Sequence, residues 1–233
     1  IDQIINQASQ IYFVSGGQVP VPLVIRTQGG AGANAGPQHS KSLEAWFTHI
    51  PGIKVVTPST PFNAKGLLKS AIRDDNPVLF YENKLLYRTM GIVPEDDYTV
   101  EIGKADVKRP GKDVTLISWS RMVMEALAAA EQLASEGIEC EVIDLQSLAP
   151  LDEETIYLSI RKTNRAVVVH ESWRNTGFGA EIVARIQENV FDYLDAPIGR
   201  VGGQDTPVPF SPHLEKMAVP DAKDIVKAVK KLR

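Results

Sequence analysis

The chain has 233 residues, 43% of them hydrophobic and 23% charged, with a formal net charge of −4. This is ordinary globular composition, long enough for one large unit or two of about 100–150 residues, each with a real core. The charge balance does not mark a nucleic-acid binder, and no apolar run approaches the roughly 20 residues that span a bilayer. The basic residues are scattered except for Lys227, Lys230, Lys231 and Arg233, which read as the last turns of a closing helix complementing its dipole.

The chain opens on Ile1-Asp-Gln-Ile-Ile-Asn, with apolar residues already at helical spacing and no cap or initiator methionine. Residues 1–13 are therefore expected to be helical, as the middle of a helix whose start lies upstream. Ser15-Gly-Gly-Gln, Pro20 and Pro22 predict a loop, then 22–27 a strand and 29–37 a glycine-rich loop. A helix follows over 40–50, a strand over 52–58, a helix over 62–74 and a buried strand over 77–82. Residues 84–112 are polar and irregular, as expected of a linker. The rhythm restarts with a strand at 113–119, a helix over 122–135 stopped at Gly137, and a strand over 140–145. Then come a helix over 152–163 opened by Asp152, a strand over 166–170, a helix over 177–189, a strand over 198–201 and a helix over 221–232 capped by Asp221. Alternating strands and helices predict two doubly wound α/β units. The first covers 1–100 and is partial, with a linker to about 112. The second covers 113–233.

Cys140 is the single cysteine. It lies in an alternating strand whose flanking Glu139 and Glu141 face the other way, so it reads as a buried structural thiol. Gly30-Ala-Gly-Ala-Asn-Ala35 formally fits the dinucleotide fingerprint G-x-G-x-x-A. That fingerprint needs a helix starting within the glycines and an acid ending a strand about 20 residues on. Here the next helical pattern begins near Ser40, and Pro51-Gly52 stands where the acid should be. His39, in Gly36-Pro-Gln-His39-Ser, follows a strand at the end where α/β sheets place ligands. Imidazole titrates near neutrality, which suits acid/base work; the bland alternative is a hydrogen-bonded surface histidine. Ser120 lacks a nucleophile elbow. His49, His170 and His213 show no zinc spacing. Glu171 ends a strand next to a glycine-containing loop and reads as a structural cap for the helix at 177–189, the alternative being part of an interface. Asp74 and Asn76 after a helix end could hold a cation with free carbonyls, or form an Asx-turn before Pro77.

These residues resemble a known family. Gln38-His39-Ser, Glu44-Ala-Trp46-Phe, Gly52-Ile-Lys-Val-Val-Thr-Pro58, Ser70-Ala-Ile-Arg-Asp74-Asp-Asn-Pro77, Leu148-Ala-Pro-Leu-Asp152, Gly179-Ala-Glu-Ile182 and Asp205-Thr-Pro-Val-Pro209 look like the beta subunits of thiamine-dependent 2-oxoacid dehydrogenases of the pyruvate and acetoin type. The resemblance covers essentially the whole chain. It implies a partial transketolase-like pyrimidine-binding domain followed by a transketolase C-terminal-type domain. It implies thiamine diphosphate with Mg2+, shared with an alpha subunit in an α2β2 heterotetramer, a second beta subunit, and docking of the dihydrolipoyl acyltransferase core. The reaction implied is oxidative decarboxylation of pyruvate or a related 2-oxoacid, with acyl transfer to lipoyl. His39 matches the family's active-site histidine. Leu23, Ala71, Asp74 and Asn76 match a potassium site. The family's cofactor-activating glutamate lies upstream of the segment aligned with Ile1, so no cofactor-binding residue is assigned and this chain alone is expected to be inactive. The implied compartment is the cytoplasm of a bacterium or archaeon, or the organelle matrix of a eukaryote. Kept beside this are acetoin or branched-chain substrates, a transketolase or deoxyxylulose-phosphate synthase, and a non-catalytic docking module.

Overall fold

The computed structural model describes residues 1–232; Arg233, the last of the basic cluster, lies outside them. The chain opens with a π-helical turn, Gln3–Ala8, and α1 (Ile11–Val14). The first sheet holds β1 (Val24–Gly29), β2 (Lys54–Val56) and β3 (Val78–Asn83), paired in parallel with β3 in the middle. Between β1 and β2 lie the one-turn α2 (Gly36–His39) and α3 (Glu44–Thr48). Between β2 and β3 runs α4 (Pro61–Ile72), with Pro61 at its first position and the Thr60 hydroxyl accepting the Asn63 N–H.

The second sheet has the order β4 (Asp106–Arg109), β6 (Cys140–Asp144), β5 (Val114–Ser118), β8 (Ala166–Trp173), β9 (Gly199–Gly203). Only the β4–β6 pair is antiparallel. The β5, β6 and β8 runs are apolar on both pleats because helices cover both faces. On one face α5 (Met122–Ala134) and α9 (Ala222–Lys230) bury Ala126, Leu133, Ile225 and Val229 against Leu116, Val142 and Val167. On the other, α6 (Glu153–Thr163) and α7 (Gly179–Val190) bury Ile156, Ile160, Ile182 and Ile186 against Ile117, Ile143 and Val168.

This second cluster does not stop at one sheet. It continues into Phe47, Val55 and Leu79 of the first half. A backbone bridge reinforces the junction: β7 (Ser147–Ala149), which follows β6, leaves the second sheet and pairs antiparallel with β2.

Three local expectations change. The stretch expected to be an irregular linker ends in β4, an edge strand of the second sheet. The Cys140 strand is buried on both faces, not one: Glu141 is buried opposite Ser159 and Lys162 of α6. Burial pushes its carboxyl up, but Lys162, Ser159 and the Gly111 amide together hold it below the usual range. A further helix, α8 (Pro212–Ala218), forms where the sequence showed no periodic pattern.

Candidate active site

In register, Gly29 at the end of β1 stands opposite Asn83 at the end of β3. The glycine loop leaves the sheet at this level. Gly30 and Gly32 have φ of +89° and +101°, and a Cβ on Gly32 would lie 2.4 Å from Leu85. Only glycine fits this path. The loop turns its amides toward acids of the second half. Ala31 N–H donates to Glu171 Oε1 at 2.8 Å; Gly32 and Asn34 N–H donate to the two oxygens of Glu215 on α8 at 2.9 and 3.0 Å. Such an array of amides is an anion cradle, and here the chain fills it with its own carboxylates. The amides that a pyrophosphate would need are thus already taken.

The loop ends in α2, which carries His39 to the rim of a cleft of about 550 Å3. Its wall is apolar, from Ile4, Ile25, Leu43, Phe47 and Leu79, with Thr27, Gln28, Gln38, Lys41, Tyr81 and Lys84 as the polar groups. The imidazole is exposed, and its residue is tethered through the backbone, the Lys84 ammonium donating to the His39 carbonyl. Tyr81 fixes the floor: its hydroxyl donates to Lys41 O at 2.9 Å and accepts from Leu43 N at 3.0 Å. Burial, with Glu44 nearby, pushes that phenol well above its usual range.

Behind the cleft runs a buried polar seam. Glu171 collects donors from both halves: Ser42 at 3.0 Å and Asn83 at 3.2 Å from the first, Arg121 Nε at 2.8 Å from the second. It is thus a structural acid at an interface and not a helix cap. Glu44, only 3% exposed, accepts the Trp119 indole N–H at 3.2 Å. Burial, with Glu171 adding repulsion, raises its carboxyl above the ordinary range. Its second oxygen and the Thr57 hydroxyl have no partner among the described residues, and both residues line a cavity of about 20 Å3, the size of one water.

The four residues matched to a cation site lie on two adjoining segments. Leu23 O accepts Val78 N–H at 2.8 Å, and Val21 N–H reaches Asp75 O at 2.8 Å. This lays the start of β1 against the turn after α4. Ala71 O accepts the Asp74 N–H at 3.3 Å. Asp74 Oδ1 takes the Asn76 backbone N–H at 2.9 Å, the Asx-turn, and its other oxygen pairs with Lys54. Burial raises this carboxyl, but Lys54 and Asn76 outweigh it and hold it low.

The comparisons with known proteins agree with this architecture. Residues 3–90 match the transketolase pyrimidine-binding domain and residues 103–225 the transketolase C-terminal domain. The chain is 48% identical over 235 residues to the mitochondrial pyruvate dehydrogenase E1 component subunit beta-2 of Oryza sativa subsp. japonica, covering 99% of itself and 62% of that protein. It is 50% identical over 236 residues to the mitochondrial E1 subunit beta of Caenorhabditis elegans, covering 99% and 67%. The chain belongs to the pyruvate dehydrogenase E1 beta-subunit family. The family extends to an acetoin:2,6-dichlorophenolindophenol oxidoreductase subunit beta of Bacillus subtilis (strain 168), 49% identical over 225 residues, with 97% of this chain and 66% of that one covered. A solved split-gene transketolase, an inactive beta4 tetramer, superposes with a TM-score of 0.77 at 25% identity, covering 98% of this chain and 73% of its own. The chain thus spans about three fifths of the length of the first relatives.

Within this beta-subunit family member, His39 stands at the cleft, while Leu23, Ala71, Asp74 and Asn76 lie outside its lining. Sequence reasoning missed Glu215, Glu44 and Arg121. The sequence carried no signal for Glu215, because its meaning depends on amides 181 and 183 residues away.

Proposed function

We propose that the chain is the beta subunit of a thiamine-diphosphate-dependent 2-oxoacid dehydrogenase, oxidatively decarboxylating pyruvate with acyl transfer to lipoyl. The observation that carries this reading is the exposed His39 imidazole at the rim of an apolar cleft, in a chain about half identical to E1 beta subunits. When bound, thiamine diphosphate would supply the electron sink for decarboxylation. The apolar wall suits one side of a flat heterocycle. No carboxylate lines the cleft among the described residues, so no step through the cofactor is derived from this chain. His39 would hold or pass a proton at the substrate or at the incoming lipoyl sulfur.

The reading brings the partners the resemblance implies: an alpha subunit that shares the cofactor and its Mg2+, a second beta subunit and the dihydrolipoyl acyltransferase core. It also brings K+ at Leu23, Ala71, Asp74 and Asn76. Carbonyl and carboxylate oxygens are the donors a hard cation takes. Each carbonyl there has a second lone pair free after its N–H bond. Replacing K+ by choline should lower the melting temperature of the subunit by a few degrees, and Asp74→Ala should abolish that difference. Equal melting in both salts would remove the site.

The test of the main reading is the full-length subunit co-expressed with its alpha partner. His39→Ala should lower thiamine-dependent acyl transfer to lipoyl by more than about tenfold; undiminished transfer would sink the assignment. The similarity to the Bacillus acetoin-oxidising subunit makes acetoin the second substrate to assay.

A further inference from the structure

Between its tethers at Ala31 and His39, the loop has little of its own to hold it in place. Gly32, Ala33 and Asn34 are exposed, so no apolar burial anchors them. What fixes the stretch is the pair of hydrogen bonds from Gly32 and Asn34 to Glu215. Glu215 is 2% exposed, and a carboxylate is buried at a cost unless its oxygens are satisfied. No lysine or arginine pairs with it among the described residues; the loop amides take both its oxygens. Carboxylate and loop therefore depend on each other. Bonds of this kind, with an ionised acceptor, are roughly twice as strong as neutral ones.

The same segment grips the loop a second time. A Cβ on Gly36 would fall 2.3 Å from the Phe210 ring, so Phe210 lies directly on the first residue of α2. Phe210 and Glu215 flank the start of α8, whose far end is tied to the end of β9 by Gln204 N–H to Ala218 O at 2.9 Å. His39 follows Gly36 by three residues. The second half thus reaches through α8 to set the height and turn of α2 over the cleft.

We propose that Glu215 is a positioning residue for His39, acting by clasping the glycine loop. Its catalytic part rests on the function proposed above. The experiment uses the full-length subunit with its alpha partner and combines residue-resolved hydrogen exchange with steady-state kinetics. In the unsubstituted protein the Gly32 and Asn34 amides should exchange about tenfold more slowly than the amide of Ala33, the exposed residue between them. Glu215→Gln keeps the shape but turns one acceptor into a donor. It should remove that protection and lower kcat by roughly tenfold to a hundredfold, with KM for the 2-oxoacid unchanged, as expected when a reacting group is displaced but binding is not. Unaltered exchange in Glu215→Gln, or faster exchange with unaltered kcat, overturns the proposal. If Glu215→Gln does not fold, the native pattern decides, and equal exchange at 32, 33 and 34 overturns it. His39→Ala measured alongside keeps the two readings apart. A crippled His39→Ala beside a fully active Glu215→Gln removes the clasp's catalytic role and leaves that of His39; full activity in both removes the role of His39 as well.

Discussion

At the scale of residues, two buried groups set opposing pH dependences. His170 is fully buried, its Nδ1 3.0 Å from Ser172 Oγ and its ring stacked on Trp119. Burial first, then Arg200 and Arg174, pushes its pKa down to about 4. The unfolded chain therefore binds a proton at this position between about pH 6.5 and 4 where the folded chain does not, and stability falls on acidification through that window. Asp144 does the reverse. Burial pushes its carboxyl up to about 6 despite Ser59 and Lys108. The folded state keeps its proton between about pH 6 and 4 while the unfolded state loses it, so this group favours folding at the acid end. The two slopes largely cancel. Asp144→Asn should unmask the histidine: stability should fall by about 3 kcal/mol between pH 6.5 and 4, from the size of the His170 shift. Thermal melts across that range measure it, and a flat profile in Asp144→Asn would contradict the assignment. In the candidate site, His39 was singled out from the sequence because a histidine after a strand and a glycine loop is a local pattern. The partners of Glu215, Glu44 and Asp144 are set by chain segments far away, and no local pattern encodes them.

Elements were legible where their signal is periodic and long. The helices α4, α5, α6, α7 and α9 fall within two residues of expectation at every end, since caps and apolar stripes mark them. The short elements were not legible. Ser147-Leu-Ala is three residues long, ends at a proline and has no alternation to read; only pairing with β2 makes it a strand. For the same reason β4 looked like linker: it is an edge strand with a register shift, and edge strands tolerate polar sequence. β7 nonetheless holds the two sheets together. Leu148, 2% exposed, sits in the cluster shared by both halves. Leu148→Ala should destabilise the subunit by about 2–5 kcal/mol, seen as a lower denaturant midpoint. A loss under about 1 kcal/mol would mean that β7 is a surface appendage.

At the scale of the whole molecule, the question is whether the two sheets are two cooperative units or one. Two family domains and an intervening polar stretch suggest two. The packing says one. The largest core cluster draws from both sheets, β7 crosses from one to the other, and a ring of hydrogen bonds at Glu171 and Glu44 closes the seam. Arg121 and Glu171 are 15% and 7% exposed, and their 2.8 Å bond is the ionic centre of that seam. Removing the guanidinium leaves a buried carboxylate held only by neutral donors, a loss of about 3–5 kcal/mol for such pairs. If the halves were independent, Arg121→Ala would loosen their contact and split unfolding into two steps. If they form one unit, the whole curve should move to lower denaturant without broadening. With Trp46 and Trp173 replaced by phenylalanine, Trp119 fluorescence reports on the seam through its bond to Glu44, while far-ultraviolet circular dichroism reports on all helices. Coincident curves from the two probes, shifted together in Arg121→Ala, are the expected outcome. A fluorescence change that precedes the loss of helix would show that the seam opens first and that the clasp on the His39 loop can release without unfolding either sheet.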